Sequence, residues 1–227
     1  MEALNLRILT VAPHRLLFFI GASNVLLAMT WWSLWLLDAR WQLFGLTQPS
    51  MPAGWLHAFI MQYSVLPSFI FGFLLTVLPR WLNVESLSKW HYLPVGVGLL
   101  GGQLVLLVGL FGYPQLIFVG FVQIIAGWTA GLLILFSVLR QAKQKIVHAN
   151  SALLAMFFGW IGLLFVMVYS LTGHGVLMLT AIKIGTFALL LPIYFTVCHR
   201  MLPFFASCVL QDYKVYRPNW GLLLFWV

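Results

Sequence analysis

The chain has 227 residues, of which 63% are hydrophobic and only 7% are charged, and its mean hydropathy is +1.01. Soluble domains are about 45–50% apolar and about 25% charged, so the composition excludes a soluble globular protein. It predicts an all-α, polytopic transmembrane helix bundle. The formal charge of +8 would raise the question of nucleic acid in a soluble chain, but here it fits cytoplasmic loops, and we expect no nucleic-acid partner.

Uncharged runs of about 20 residues, each long enough to cross a roughly 30 Å hydrocarbon core, divide the chain into spans. The first run has no small-residue cleavage site, so it is a span and not a signal peptide. The run from Tyr92 to Leu139 would be about 72 Å long as one helix, so it must hold two spans with a turn at Gly112-Tyr113-Pro114. The predicted spans are residues 16–37, 57–79 with a kink at Pro67, 92–111, 115–139, 149–172 and 175–198.

A seventh apolar run begins at residue 218 and reaches the last residue, Val227. A carboxyl terminus near mid-bilayer would be costly, because its charge and the last carbonyls find no water there. We therefore expect residues 1–227 to form a single membrane domain that is the N-terminal half of a longer protein.

Basic residues separate by side of the membrane. Arg40 falls alone in one set of alternate loops, and Lys183 lies inside a span. The other side holds Arg7, Arg15, Arg80, Lys89, Arg140, Lys143, Lys145, Arg200, Lys214 and Arg217. The positive-inside rule makes this second side, and with it the N-terminus, cytoplasmic.

The glycines of the third and fourth spans are spaced for helix packing. Gly96, Gly98 and Gly101 match the letters of GxGxxG, but no strand precedes them and no acid follows, so a dinucleotide site is not indicated. The GxxxG spacings that start at Gly98 and Gly127 instead predict close contacts between helices in lipid.

The histidines also separate by side. His57 and His174 lie at outer ends of spans, and the inner ends hold His14, His91, His148 and His199. Imidazoles on facing helices can bind haem iron or copper, whereas the alternative is that they are wetted interface residues. His57 is the strongest candidate, because Met61 follows four residues later on the same helical face.

Lys183 is the one acid or base well inside a span, about eight residues or 12 Å from the outer end. Snorkelling to the surface is the alternative, but at this depth we expect the side chain to point into the bundle toward Gln62, Tyr63 or Thr180. There it would bind an anionic ligand, a cofactor carboxylate or a proton in transit. Replacement by methionine should then impair cofactor retention.

Arg15 opens the first span and Arg200 closes the sixth, both on the cytoplasmic side. Arginines there can hold haem propionates or lipid phosphates, and the alternative is plain positive-inside anchoring. The chain has only four acids, none well inside a span, and no serine, cysteine or carboxylate constellation resembles a hydrolase.

Three stretches together resemble the NnrS family of bacterial membrane proteins. They are PHRLLFFIGA at residues 13–22, WLHAFIM at 55–61 followed by FGFLLTVLPRW at 71–81, and RMLPFFA at 200–206. The resemblance follows the whole chain in order but covers about half of a family protein, which normally has some twelve spans. One departure is that the family commonly has His-Ala-His-Glu-Met where this chain has His-Ala-Phe-Ile-Met at residues 57–61.

The resemblance implies a haem-containing and copper-containing protein of the bacterial cytoplasmic membrane that acts in nitric oxide or nitrogen-oxide stress or in respiratory metabolism. Taken with the residue analysis above, it makes His57 the expected axial ligand, Arg15, Arg200 and Lys183 candidate cofactor-binding residues, and His57, His174 and Met61 candidate metal ligands. The rival interpretation is a non-catalytic helix-packing or assembly subunit of a larger membrane respiratory complex. The partners expected are the lipid bilayer and other membrane subunits or further copies of the chain.

Overall fold

The computed structural model describes residues 6–46, 49, 51–144 and 146–226, with side chains left out at positions 6, 7, 224 and 225. A short 3-10 helix, Leu6–Val11, leads into the first of six helices that are long and apolar enough to cross a membrane. These are α1 (Pro13–Trp41), α2 (Ala53–Trp81), α3 (Lys89–Gly109), α4 (Pro114–Gln141), α5 (Val147–Thr172) and α6 (Gly175–Val209). The regular structure of the described residues is entirely helical, so the predicted all-α bundle with six spans is confirmed.

A short seventh helix, α7 (Trp220–Trp226), follows α6. The sequence predicted the start of a helix at 218–227, of which Val227 lies outside the described residues. Trp226 Nε1 donates a hydrogen bond of 2.9 Å to Ser151 Oγ, so α7 packs back along the beginning of α5. The helix α6 runs eleven residues beyond its predicted end at 198, because charged residues end a hydrophobic run without ending a helix.

Successive helices run in opposite directions, which gives the bundle two sides. On the N-terminal side, where α1 begins, the His14 backbone N–H donates to Thr76 Oγ1 near the end of α2. On the far side, Trp55 near the start of α2 makes an edge contact with Tyr169 near the end of α5. Residues predicted to be cytoplasmic thus share the N-terminal side, and those predicted to be outer share the far side.

The α3–α4 hairpin is the tightest helix pair in the bundle. Its turn lies between Gly109 and Pro114, as predicted. Gly112 in this turn has a φ of +111°, which favours glycine. A Cβ built on Gly98 would lie 2.5 Å from Gly127 Cα, so the two backbones touch where the GxxxG spacing predicted. Gly131, the last glycine of that spacing, packs instead against the ring of Phe71 in α2.

Two of the helices contain π-helical turns, Met61–Val65 in α2 and Ile184–Leu190 in α6. Each is followed closely by a proline, Pro67 and Pro192, which has no N–H to donate to the preceding turn. The wider turn allows the Leu66 N–H to reach Met61 O five residues back. The predicted disturbance at Pro67 is therefore a π-helical turn, a feature that occurs often at functional sites.

A buried polar cluster joins α1, α2 and α3 in the middle of the bundle. It consists of Asn24, Ser64, Ser68 and Gln103, all with no exposed surface. Ser64 Oγ donates to Gln103 Oε1 at 2.6 Å, and Gln103 Nε2 donates to Asn24 O at 2.7 Å. In hydrocarbon such bonds hold helices together, because no water is available to these groups as an alternative hydrogen-bond partner.

Candidate functional site

His57 lies in the first turns of α2, on the far side, beside a stack of tryptophans from α1. Its ring stacks on Trp32 with centroids 4.4 Å apart and planes 16° apart, and Trp32 stacks in turn on Trp35 at 5.4 Å. The stack fixes one face of the imidazole. The two tryptophans are three residues apart on one helical face, which is a signal that the sequence offered and that the predictions did not use.

The Nδ1 atom of His57 is buried and has no hydrogen-bond partner in the described part of the chain. Buried polar atoms nearly always have a hydrogen-bond partner, so an imidazole nitrogen without one, which we call open, needs an explanation. A ligand outside the polypeptide is one, since a neutral imidazole can bind a metal through a ring nitrogen. His57 is therefore the histidine whose surroundings best fit a bound group.

Met61 and His174, the other two predicted metal ligands, lie on the same side as His57. Met61 is partly buried against the core, one turn along α2, and His174 is exposed immediately before α6. Among the described residues, no three His, Cys, Asp or Glu side chains come together closely enough to hold a metal ion. A copper ion at His57 would thus depend on the Met61 thioether.

The two π-helical turns contact each other, and the one in α2 begins four residues after His57. Gln62 Nε2 donates to Thr186 Oγ1 at 2.8 Å, and the Tyr63 hydroxyl donates to Ala181 O. Gly185 permits this approach, because a Cβ there would collide with the Gln62 side chain. Gln62 Oε1 is buried without a partner in the described residues, so a second open polar atom lies on the same helix as His57.

A different histidine pair lies on the N-terminal side. His148 Nε2 and His199 Nδ1 are 2.9 Å apart, and this contact joins the start of α5 to the second half of α6. The prediction grouped these residues on one side but did not pair them. One nitrogen of each ring is therefore paired with the other ring, and α7 approaches the pair, since a Cβ on Gly221 would lie 3.5 Å from His199 Nε2. His57 differs, because its buried Nδ1 has no hydrogen-bond partner in the described residues.

The structure does not bring Arg15 or Arg200 to His57. Arg200 lies over the Trp81 ring, its Cζ 4.3 Å from the centroid, and Arg15 is exposed in the first turn of α1. His57 and Trp81 are at opposite ends of α2, about 36 Å apart at 1.5 Å per residue. A single cofactor bound to His57 therefore has no propionate contact with either arginine.

The structure corrects the prediction made for the direction of the Lys183 side chain. Its side chain is exposed on the outside of α6, so the expectation that it points into the bundle is wrong. The physical reason is that the face of α6 that packs into the bundle carries Ala181, Gly185 and Leu189, which are buried, and Lys183 does not lie on that face. Gln62 and Tyr63, two of its expected partners, bind Thr186 and Ala181 instead.

These features define a polytopic α-helical membrane protein whose open histidine lies near one surface, at the end of a span broken by a π-helical turn. The chain belongs to the NnrS family: the family model described as NnrS protein matches residues 8–227. Neither the curated proteins nor the solved structures contain a match to the chain. Membership confirms the resemblance drawn from the three sequence stretches.

Proposed function

We propose that the chain is a haem-binding protein of the bacterial cytoplasmic membrane that acts in nitric oxide or nitrogen-oxide stress. The physiological setting is the one that the resemblance to the NnrS family implies, and the chain is a member of that family. The observation that carries the proposal is the His57 imidazole, fixed on Trp32 with its Nδ1 buried and unpaired in the described residues. Haem, when bound, would supply an iron able to coordinate a small ligand such as nitric oxide.

In this proposal His57 ligates the iron, and the tryptophan stack holds the imidazole plane. With phenylalanine and isoleucine at residues 59 and 60, where the family commonly has histidine and glutamate, His57 is the one histidine of this segment. Copper is the alternative occupant, with the Met61 thioether as the further ligand on the same helix. Arg15 and Arg200 have no role in a His57-bound haem, because they lie on the other side of the bundle.

The optical spectrum of the protein, purified in detergent from haem-supplemented cells, tests this proposal. We expect a Soret band that His57→Ala reduces at least tenfold, because the iron loses its ligand. His174→Ala is the matched control, since it removes an exposed histidine on the same side and should keep the haem. Absence of a Soret band in the wild-type protein would refute haem binding, and metal analysis of the same sample reports copper.

The membrane orientation has its own test, because the positive-inside rule makes the N-terminal side cytoplasmic. Reporter fusions at Gly112 and Gly173, in the turns on the far side, should read periplasmic. A fusion at Arg140, near the end of α4, should read cytoplasmic. A cytoplasmic signal at Gly112 would contradict the proposed orientation.

A further inference from the structure

One face of α6 is exposed along most of its length. We define the α6 seam as the exposed residues spaced three or four apart on this face: Val176, Leu179, Lys183, Phe187, Leu191 and Tyr194. The spacing continues through the π-helical turn, so the seam is one continuous stripe. It is apolar apart from the lysine and the tyrosine hydroxyl.

Lys183 is out of place on a surface that faces lipid. It lies about 12 Å along α6 from the start of the helix, and it makes no hydrogen bond or ion pair within the described part of the chain. Charged side chains at such depth are costly in hydrocarbon and ordinarily pair with one another or with a polar group. The seam therefore has the character of a helix-packing surface with one charge left to satisfy.

We propose that the α6 seam docks a transmembrane helix of a partner, and that this helix carries a carboxylate at the depth of Lys183. The charge identifies the chemistry of the partner, because an aspartate or glutamate is the side chain that forms a charge-assisted hydrogen bond with an ammonium. Phe187 and Tyr194 supply aromatic contact area on one side of the lysine, as is common in interfaces.

A second copy of residues 1–227 does not supply that carboxylate. The acids of the sequence are Glu2, Asp38, Glu85 and Asp212, and none lies well inside a span. Asp38, on the same side as Lys183, already accepts hydrogen bonds from the backbone N–H groups of the loop that follows α1. A two-fold contact through the seam would also place one lysine against the other, since symmetric interfaces pair the same surface.

The test uses a synthetic 23-residue leucine and alanine transmembrane peptide with a single Glu eight residues from one end. A second peptide, with Gln at that position, is the uncharged match. Association is measured in phosphatidylcholine liposomes by energy transfer from a fluorescent donor attached to the peptide to an acceptor dye on the protein. The acceptor dye is attached to Cys208, which is an exposed free cysteine, and Cys198 is replaced by serine. We expect the Glu peptide to bind about tenfold more tightly than the Gln peptide, or about 1.4 kcal/mol.

Variants show whether the preference belongs to the seam. Lys183→Met should abolish it, and Lys183→Arg should retain it, because the charge is kept. Adding Val122→Lys to Lys183→Met moves the charge to an exposed position at the same depth on α4, eight residues from the start of that helix, and this variant should not recover the preference. Equal binding of the two peptides, or recovery with Val122→Lys, would overturn the proposal. The readout does not depend on haem, so it is independent of the proposed function.

Discussion

Replacement of Trp128 by alanine should destabilise the bundle by about 3 kcal/mol, the lower end of the range for losing a buried tryptophan. Trp128 has no exposed surface and packs edge to face on Phe71, with centroids 5.1 Å apart. We choose the lower end because the unfolded chain stays in the membrane, where lipid is as apolar as the core, so the loss comes from packing. The measurement is the free energy of unfolding in mixed micelles, followed by helical circular dichroism.

Trp128→Phe separates the hydrogen bond from the packing. Trp128 Nε1 donates to Tyr63 O at 2.8 Å, and Pro67, four residues after Tyr63, has no N–H to serve as the usual helical donor. Losing the indole donor should therefore cost about 1–3 kcal/mol, as for a buried acceptor left unpaired. Trp90→Ala, at a tryptophan that is 70% exposed, is the control. An effect of Trp90→Ala as large as that of Trp128→Ala would contradict this account.

Gly98→Ala should force α3 and α4 apart. The new Cβ would lie 2.5 Å from Gly127 Cα and 2.9 Å from Gln123 O, and both atoms belong to the backbone and cannot rotate away. We expect a loss of about 1–3 kcal/mol in the free energy of unfolding, as for other overpacked sites. In a membrane no hydrophobic force restores the contact, because the association of helices there depends on close packing.

Gly101→Ala is the matched control on the same helix. The nearest atom to its Cβ would be Gln123 Oε1, at an ordinary contact distance of 3.8 Å. This variant should be neutral or more stable by up to about 1 kcal/mol, because alanine favours a helix over glycine. If both alanine variants were equally destabilised, backbone contact at Gly98 would not be the cause.

The sequence predicted the spans and the glycine contacts well, because both depend on local spacing. Runs of uncharged residues have the length of a membrane crossing, and the glycines at 98 and 127 mark where two backbones meet. The partner of Gly131 was beyond this reasoning, since Phe71 belongs to a helix that the spacing does not identify. The extension of α6 to Val209 was missed because helix and hydrocarbon need not end together.

Side-chain direction was the part that the sequence did not predict. Lys183 was expected to point inward because of its depth, but depth gives the distance from the surface and not the face of the helix. The contact between His148 and His199 could not be predicted from the sequence either. The sequence places both residues on one side, but only the packing of α5 on α6 brings their nitrogens to 2.9 Å. The open Nδ1 of His57 likewise follows from what surrounds it in three dimensions.

The π-helical turns have a consequence for how the length of this chain can change. A π-helical turn amounts to one extra residue accommodated in an α-helix, with the helix on either side left in place. Deletion of a single residue within Ile184–Leu190 should therefore restore an α-helix while keeping Lys183 and His199 on their present faces. The same deletion elsewhere in α6 would rotate everything beyond it by about 100°. Homologous chains that differ in length by one residue should accordingly differ at these two turns.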